Sequence, residues 1–114
     1  MLRAPALSAR PVAYLLVQAL PPDGEIIDIA VLPWLRRSRF GSRLLAHGLG
    51  FLRRRGCGRC VLEVRESNTA AIRFYDRHGF RPAGRRRRYY HHPPEDALVL
   101  SRGLEQPVAG VFLS

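Results

Sequence analysis

Residues 62–80, LEVRESNTAAIRFYDRHGF, restrict the fold more than any other part of this chain. Leu62, Glu63 and Val64 close a short apolar run that starts at Cys60, and a run that brief flanked by turn residues reads as a buried strand. Ser67 and Asn68 are helix-capping types, because a short side-chain oxygen accepts from the first unsatisfied backbone N–H groups of a helix. Asn68 to His78 then reads as a short helix with Tyr75 on its second turn. Gly79 stands where a left-handed residue is wanted after a helix, and Phe80 can pack back on the last turn. A strand, a cap, a helix and a stop in direct succession define a tight corner that holds one carboxylate, Glu63, near one phenol, Tyr75. That pairing suits a reaction in which one proton is removed and another delivered.

The rest of the chain supplies elements for the corner to join. Pro11 to Leu20 is β-branched and aromatic enough for a strand, although periodicity alone leaves a buried helix open. Pro21-Pro22-Asp23-Gly24 predicts a turn, since proline presets φ and glycine accepts positive φ. Glu25 to Val31 predicts a second strand, ended by Pro33, which has no N–H to offer. Phe40, Leu44, Leu45, Leu49 and Leu52 recur at helical spacing between Phe40 and Arg55, with arginines on the other face. A turn at Gly56 to Arg59 precedes the Cys60–Val64 strand. After the corner, Arg81 to Gly84 leads into a strand at Arg85–Tyr90, a loop at His91–Asp96 and a strand at Ala97–Ser101. The tail from Gly103 carries no clear pattern. The expected order is ββαβαββ, one α/β domain on a mixed sheet without repeats.

A length of 114 residues allows one modest core. The net charge of +10, all of its cations arginine, draws phosphate-bearing partners, whether a nucleotide, RNA or the ribosome, without choosing among them. No apolar run approaches the roughly 20 residues that span a bilayer, so no membrane role is expected. Met1 to Arg10 lacks a continuous apolar core for a secretory signal, which leaves the cytoplasm as the default location. Cys57 and Cys60 form a lone CxxC with no second pair, and His91-His92 is isolated; two reduced, incidental thiols and no metal are expected.

The pattern Glu63-Val-Arg-x-Ser-Asn-x-x-Ala-Ile-x-x-Tyr75-x-x-x-Gly-Phe80 closely resembles motif B of the GNAT N-acetyltransferases, and within them the branch that acetylates the N-terminal alanine of a ribosomal protein. The resemblance implies the GNAT fold, a mixed, mostly antiparallel sheet with flanking helices. It covers about residues 12–102, a partial domain, with a short segment (1–11) before it and a tail (103–114) after it. The two strands and two helices that open the family fold have no counterpart here, so the chain reads as truncated at its N-terminus. Acetyl-coenzyme A is the implied cosubstrate, with no metal. By resemblance, Ile29, Ala30 and Val31 pair their backbone with the pantetheine arm. The family's Gln/Arg-x-x-Gly-x-Gly/Ala loop falls on Arg36-Arg37-Ser38-Arg39-Phe40-Gly41, so Arg36, Arg37, Ser38, Arg39, Phe40, Gly41 and Ser42 wrap the pyrophosphate. Arg39 replaces the first glycine. It either hinders close approach of the backbone or adds a charge-assisted contact to a phosphate.

The same resemblance places Asn68 near the reactive end of the cofactor. It makes Glu63 the base, directly or through a water, and Tyr75 the acid that protonates the departing sulfur. A backbone N–H near Ala30 or Val31 polarises the thioester carbonyl. Burial between Leu62 and Val64 is expected to raise the Glu63 pKa. Tyr89 and Tyr90, with the His91–Asp96 loop, line the substrate groove, and Glu95-Asp96-Ala97 matches the pattern that follows it in the family. The implied function is acetyl transfer to a protein N-terminal amine, of a ribosomal or other basic protein. Two alternatives stand beside it: a small-amine acceptor, and a noncatalytic basic domain that binds RNA or the ribosome through Arg85–Arg88. A sheet edge or face left uncovered by the truncation favours self-association.

Overall fold

The computed structural model describes residues 13–31 and 39–104. Five strands form one sheet in the order β1-β2-β3-β5-β4. Strand β1 (Ala13–Leu20) and β2 (Asp23–Val31) make the expected hairpin, followed by helix α1 (Phe40–Arg54), β3 (Arg59–Arg65), helix α2 (Thr69–Arg77), β4 (Arg81–His91) and β5 (Pro94–Gly103). The β2–β3 pair is parallel and the others are antiparallel, as a mixed, mostly antiparallel sheet requires. The expected stop at Pro33 lies outside the described residues.

Alternation along β1 sends Leu15, Val17 and Ala19 toward the helices and leaves Tyr14, Leu16 and Leu20 exposed on the other face. Leu45, Leu49 and Leu52 of α1 are essentially fully buried, each contributing about 1.5–3 kcal/mol of transfer free energy. Phe40, expected in the same stripe, sits at the first turn of α1 and is exposed. A Cβ at Gly48 would run into Leu15, so glycine there permits α1 to lie close on β1. The core continues through Ile26, Cys60, Leu62, Val64, Tyr75, Phe80, Leu100 and Leu104. Both helices therefore cover one face of the sheet.

The corner forms as the caps predict. Asn68 Oδ1 accepts from the Ala71 N–H at 3.2 Å, and Gly79 takes φ 87°. The Phe80 N–H donates to the Tyr75 carbonyl at 3.0 Å while the Phe80 ring packs edge-on against Tyr75 at 5.3 Å.

Two expectations about the C-terminal part are corrected. His91–Asp96 is not a loop: β4 and β5 pair up to His91 with Pro94, leaving a tight turn between long strands. Arg81–Gly84 is strand rather than lead-in, because β4 lies at the sheet edge, where Pro82 costs no ladder bond. Gly103 pairs with Arg59, and Leu104 is buried with its N–H on the Gly58 carbonyl at 2.9 Å. The packed unit thus runs past residue 102. No helix among the described residues is long and apolar enough to cross a membrane.

Candidate functional site

The parallel ladder between β2 and β3 covers only Asp23, Gly24 and Glu25 against Arg59, Cys60 and Val61. Beyond it the strands diverge. The cause lies on the other side of β2, where the register against β1 slips between Leu16 and Val17 and leaves Ile27 as an extra residue. A bulge bends its strand and increases the local twist, which turns the outer half of β2 away from β3. A cleft of about 230 Å³ opens between them, with Glu63, Asn68, Tyr75 and Tyr90 in its wall together with Ile26 to Ile29 and Arg65.

Glu63 and Tyr75 thus meet at one cavity, although they come from a strand and a helix. Tyr75 is buried, its ring edge-on to Phe74 and Phe80 at 5.3 Å each. Burial first, then the nearby Cys60 and Asp28, push its phenol up to about 12, so it stays protonated and acts as a donor through neutral pH. Glu63 lies on the sheet face away from the helices, its side chain 17% exposed. Its surroundings are not the apolar ones expected from its neighbours in sequence. The Arg86 guanidinium pairs with the carboxylate through Nε, and the Tyr89 hydroxyl hydrogen-bonds the same group, which with its charge raises the Tyr89 pKa.

Tyr90 lies under the Arg65 guanidinium at 4.2 Å, and Arg65 also binds Glu95 at 3.2 Å. Tyr89 and Tyr90 contact each other edge-on at 5.1 Å. Both tyrosines, expected to line an acceptor groove, therefore stand beside Glu63 and Arg65. Asn68 combines its cap role with a place in the cleft wall.

The expected phosphate end is described only from Arg39 onward; Arg36, Arg37 and Ser38 lie outside the described residues. Arg39 is the cap residue of α1 with φ −81° and makes no side-chain cap bond, and the first turn holds no acidic residue. Backbone N–H groups with no carboxylate near them make a helix start suited to an anion. At φ −81° no glycine is demanded at Arg39. Gly41 stands beside Val31, since a Cβ there would lie 3.9 Å from Val31 Cγ2, and Val31, Ala30 and Ile29 pair on their other side with Ala13, Tyr14 and Leu15. The outer end of β2 and the first turn of α1 are thereby contiguous. The Ser42 hydroxyl shares a hydrogen bond with His78 Nε2 at 2.9 Å; burial and the charges of Arg77 and Arg102 lower the His78 pKa, so the imidazole there is neutral at pH 7.

Reasoning from sequence missed Arg86, Ile27 and Asp28. Asp28 lines the cleft and accepts from the Tyr14 hydroxyl at 2.6 Å. The hairpin turn signal at Pro21–Gly24 could have aligned β1 with β2, but nothing local marks the bulge or singles out one arginine of Arg85–Arg88. Half of that run is occupied: Arg85 pairs with Glu66 and Asp96, and Arg86 with Glu63. Among the described residues no group of acidic, cysteine and histidine side chains is arranged to hold a metal.

Comparison with known proteins bears on the family and the fold. Residues 6–80 match the acetyltransferase (GNAT) family. The ribosomal protein bS18-alanine N-acetyltransferase of Escherichia coli K12 is 35% identical over 91 residues, 78% of this chain and 62% of that protein. The crystal structure of the Escherichia coli ribosomal-protein-S18-alanine N-acetyltransferase superposes with a TM-score of 0.75 at 31% identity, covering 95% of this chain and 71% of that one. A mycothiol acetyltransferase of Salinispora arenicola is 46% identical over 61 residues, 53% of this chain and 20% of that protein. The chain thus spans about three fifths of the first of these relatives.

Proposed function

The chain belongs to the acetyltransferase (GNAT) family, and on that premise we propose that it transfers an acetyl group from acetyl-coenzyme A to a protein N-terminal amine, that of a ribosomal protein. The observation that carries this reading is the cleft between β2 and β3, with Glu63 and Tyr75 in its wall and, beside Val31 at the end of the same β2 strand, a helix start whose first turn carries no acid. The residues present suit the cosubstrate. Arg39 and the first turn of α1 (Phe40, Gly41, Ser42), with Arg36, Arg37 and Ser38 before it, would take the pyrophosphate; the β2 backbone at Ile29–Val31 would run along the pantetheine arm.

Bound there, acetyl-coenzyme A supplies an activated acetyl thioester. Glu63 accepts the proton that the attacking amine nitrogen gives up as its bond to carbon forms, directly or through a water. Tyr75, held protonated by burial, gives its proton to sulfur as the carbon–sulfur bond breaks, and Glu63 and Tyr75 return to their starting states by exchange with solvent. A backbone N–H of the outer part of β2 would polarise the carbonyl. Tyr89 and Tyr90 flank the approach of the acceptor.

Titration calorimetry with coenzyme A and acetyl-coenzyme A tests the reading first; saturable heat is expected, and none at millimolar ligand with folded protein would overturn it. Mass spectrometry of an alanine-initiated basic peptide incubated with acetyl-coenzyme A then reports transfer, which is expected to collapse in Glu63→Gln. A second reading, a small-amine acceptor, draws on the match to mycothiol acetyltransferase; acetylation of small amines but not of the peptide would favour it. The RNA-binding alternative gains little, since two of the four arginines in Arg85–Arg88 are spent on internal ion pairs.

A further inference from the structure

Side chains three residues apart on a regular strand point to opposite faces of the sheet. Arg86 and Tyr89 are three apart on β4, yet both reach Glu63, and the Arg86 guanidinium lies 5.7 Å from the Tyr89 ring. The ladder explains how. Arg86 pairs with Ala97 and Tyr90 with Glu95, so Arg87, Arg88 and Tyr89 all stand opposite the single residue Asp96. Arg88 absorbs the excess at φ 50°, a left-handed conformation that costs an L residue about 1–2 kcal/mol and persists only where its surroundings hold it. Asp96 is that surrounding: Oδ1 accepts from the Arg88 N–H at 2.9 Å and Oδ2 from Arg85 Nη1 at 2.9 Å. Its backbone carbonyl also accepts from the Glu66 N–H at 3.2 Å, and the adjacent Glu95 accepts from the Ser67 N–H at 2.6 Å, which ties the bulge to the corner that carries Glu63 and Asn68.

We propose that Asp96 is a positioning residue: by accepting from the Arg88 N–H it fixes the β4 bulge that turns Arg86 and Tyr89 onto one face and aims both at Glu63. The proposal rests on the reading of Glu63 as the base. Asp96 does not line the cleft; it acts through Arg86 and Tyr89.

The test reads the Arg86 side chain by NMR, which requires no turnover. The Arg86 Nε–Hε resonance, assigned as the peak that vanishes in Arg86→Lys, is expected apart from those of exposed arginines. In Asp96→Ala it is expected to collapse onto them, and in Asp96→Asn, which keeps an oxygen for the Arg88 N–H, to stay in place. Asp96→Thr, a shape that strands favour, is expected to behave as alanine does and serves if the alanine variant does not fold. With an acetylation assay running, Asp96→Ala is expected to lower kcat/KM for the alanine-initiated peptide on the order of a hundredfold, the scale of a roughly 1 Å misplacement, with coenzyme A affinity unchanged and asparagine restoring the rate. An unmoved Arg86 resonance in Asp96→Ala or Asp96→Thr, or an asparagine variant as perturbed as alanine, overturns the proposal. Absence of coenzyme A binding by the unaltered chain overturns the transferase reading instead, whatever the resonance does.

Discussion

Replacing Tyr75 by phenylalanine separates the two jobs this side chain holds. The ring is a core element, 4% exposed and in edge contact with Phe74 and Phe80, and phenylalanine keeps all of that surface. The loss is one hydroxyl, worth about 1 kcal/mol to stability, so Tm should fall by no more than about 4–8 °C. Tyr75→Ala removes the ring as well and should cost about 3–5 kcal/mol. If the phenol gives its proton to sulfur, Tyr75→Phe lowers turnover by a factor on the order of 10² to 10⁴ while folding is nearly intact. Turnover is followed by coenzyme A thiol release with a chromogenic disulfide. Cys57 and Cys60 are buried in the core, and burial pushes the Cys60 thiol up to about 12, so neither should react in the folded protein. The phenol, also pushed up to about 12, should impose no alkaline loss of rate between about pH 8 and 10. A Tyr75→Phe variant turning over at half the normal rate or better would show that Tyr75 serves packing alone.

Other expectations follow from single residues. Gly79→Ala should lose about 1–2 kcal/mol in denaturant unfolding, because φ 87° strains an L residue whatever space surrounds it. Cys60 ionises at a model-compound value of 9.0 when unfolded and about 12 when folded. Its contribution is therefore complete below pH 9 and declines toward pH 12 at about 1.4 kcal/mol per pH unit; urea titrations above pH 9 should show a shallower decline in Cys60→Ala, and equal slopes would refute the assignment. Arg39→Ala should weaken coenzyme A binding by up to about fivefold, the worth of one exposed ion pair, and flatten its salt dependence; tighter binding would mean that Arg39 obstructs the phosphates.

The parts of this protein that local chemistry dictates were legible from residues alone. The Asn68 cap, the Gly79 stop and the Phe80 contact each follow from orphaned backbone groups within one turn of helix, so the corner that brings Glu63 near Tyr75 follows with them. The apolar stripe of α1 was equally plain, since Leu45, Leu49 and Leu52 recur on one face. What no local pattern encodes is register. The extra residue at Ile27 opens the cleft, and the excess opposite Asp96 aims Arg86 and Tyr89, but each bulge exists only relative to a partner strand. For that reason Glu63 read as a carboxylate among apolar neighbours, whereas tertiary structure surrounds it with a guanidinium and a phenol brought across β5 from β4. Sequence determined the elements and the corner; pairing between distant strands decided where the cleft lies and what faces its carboxylate.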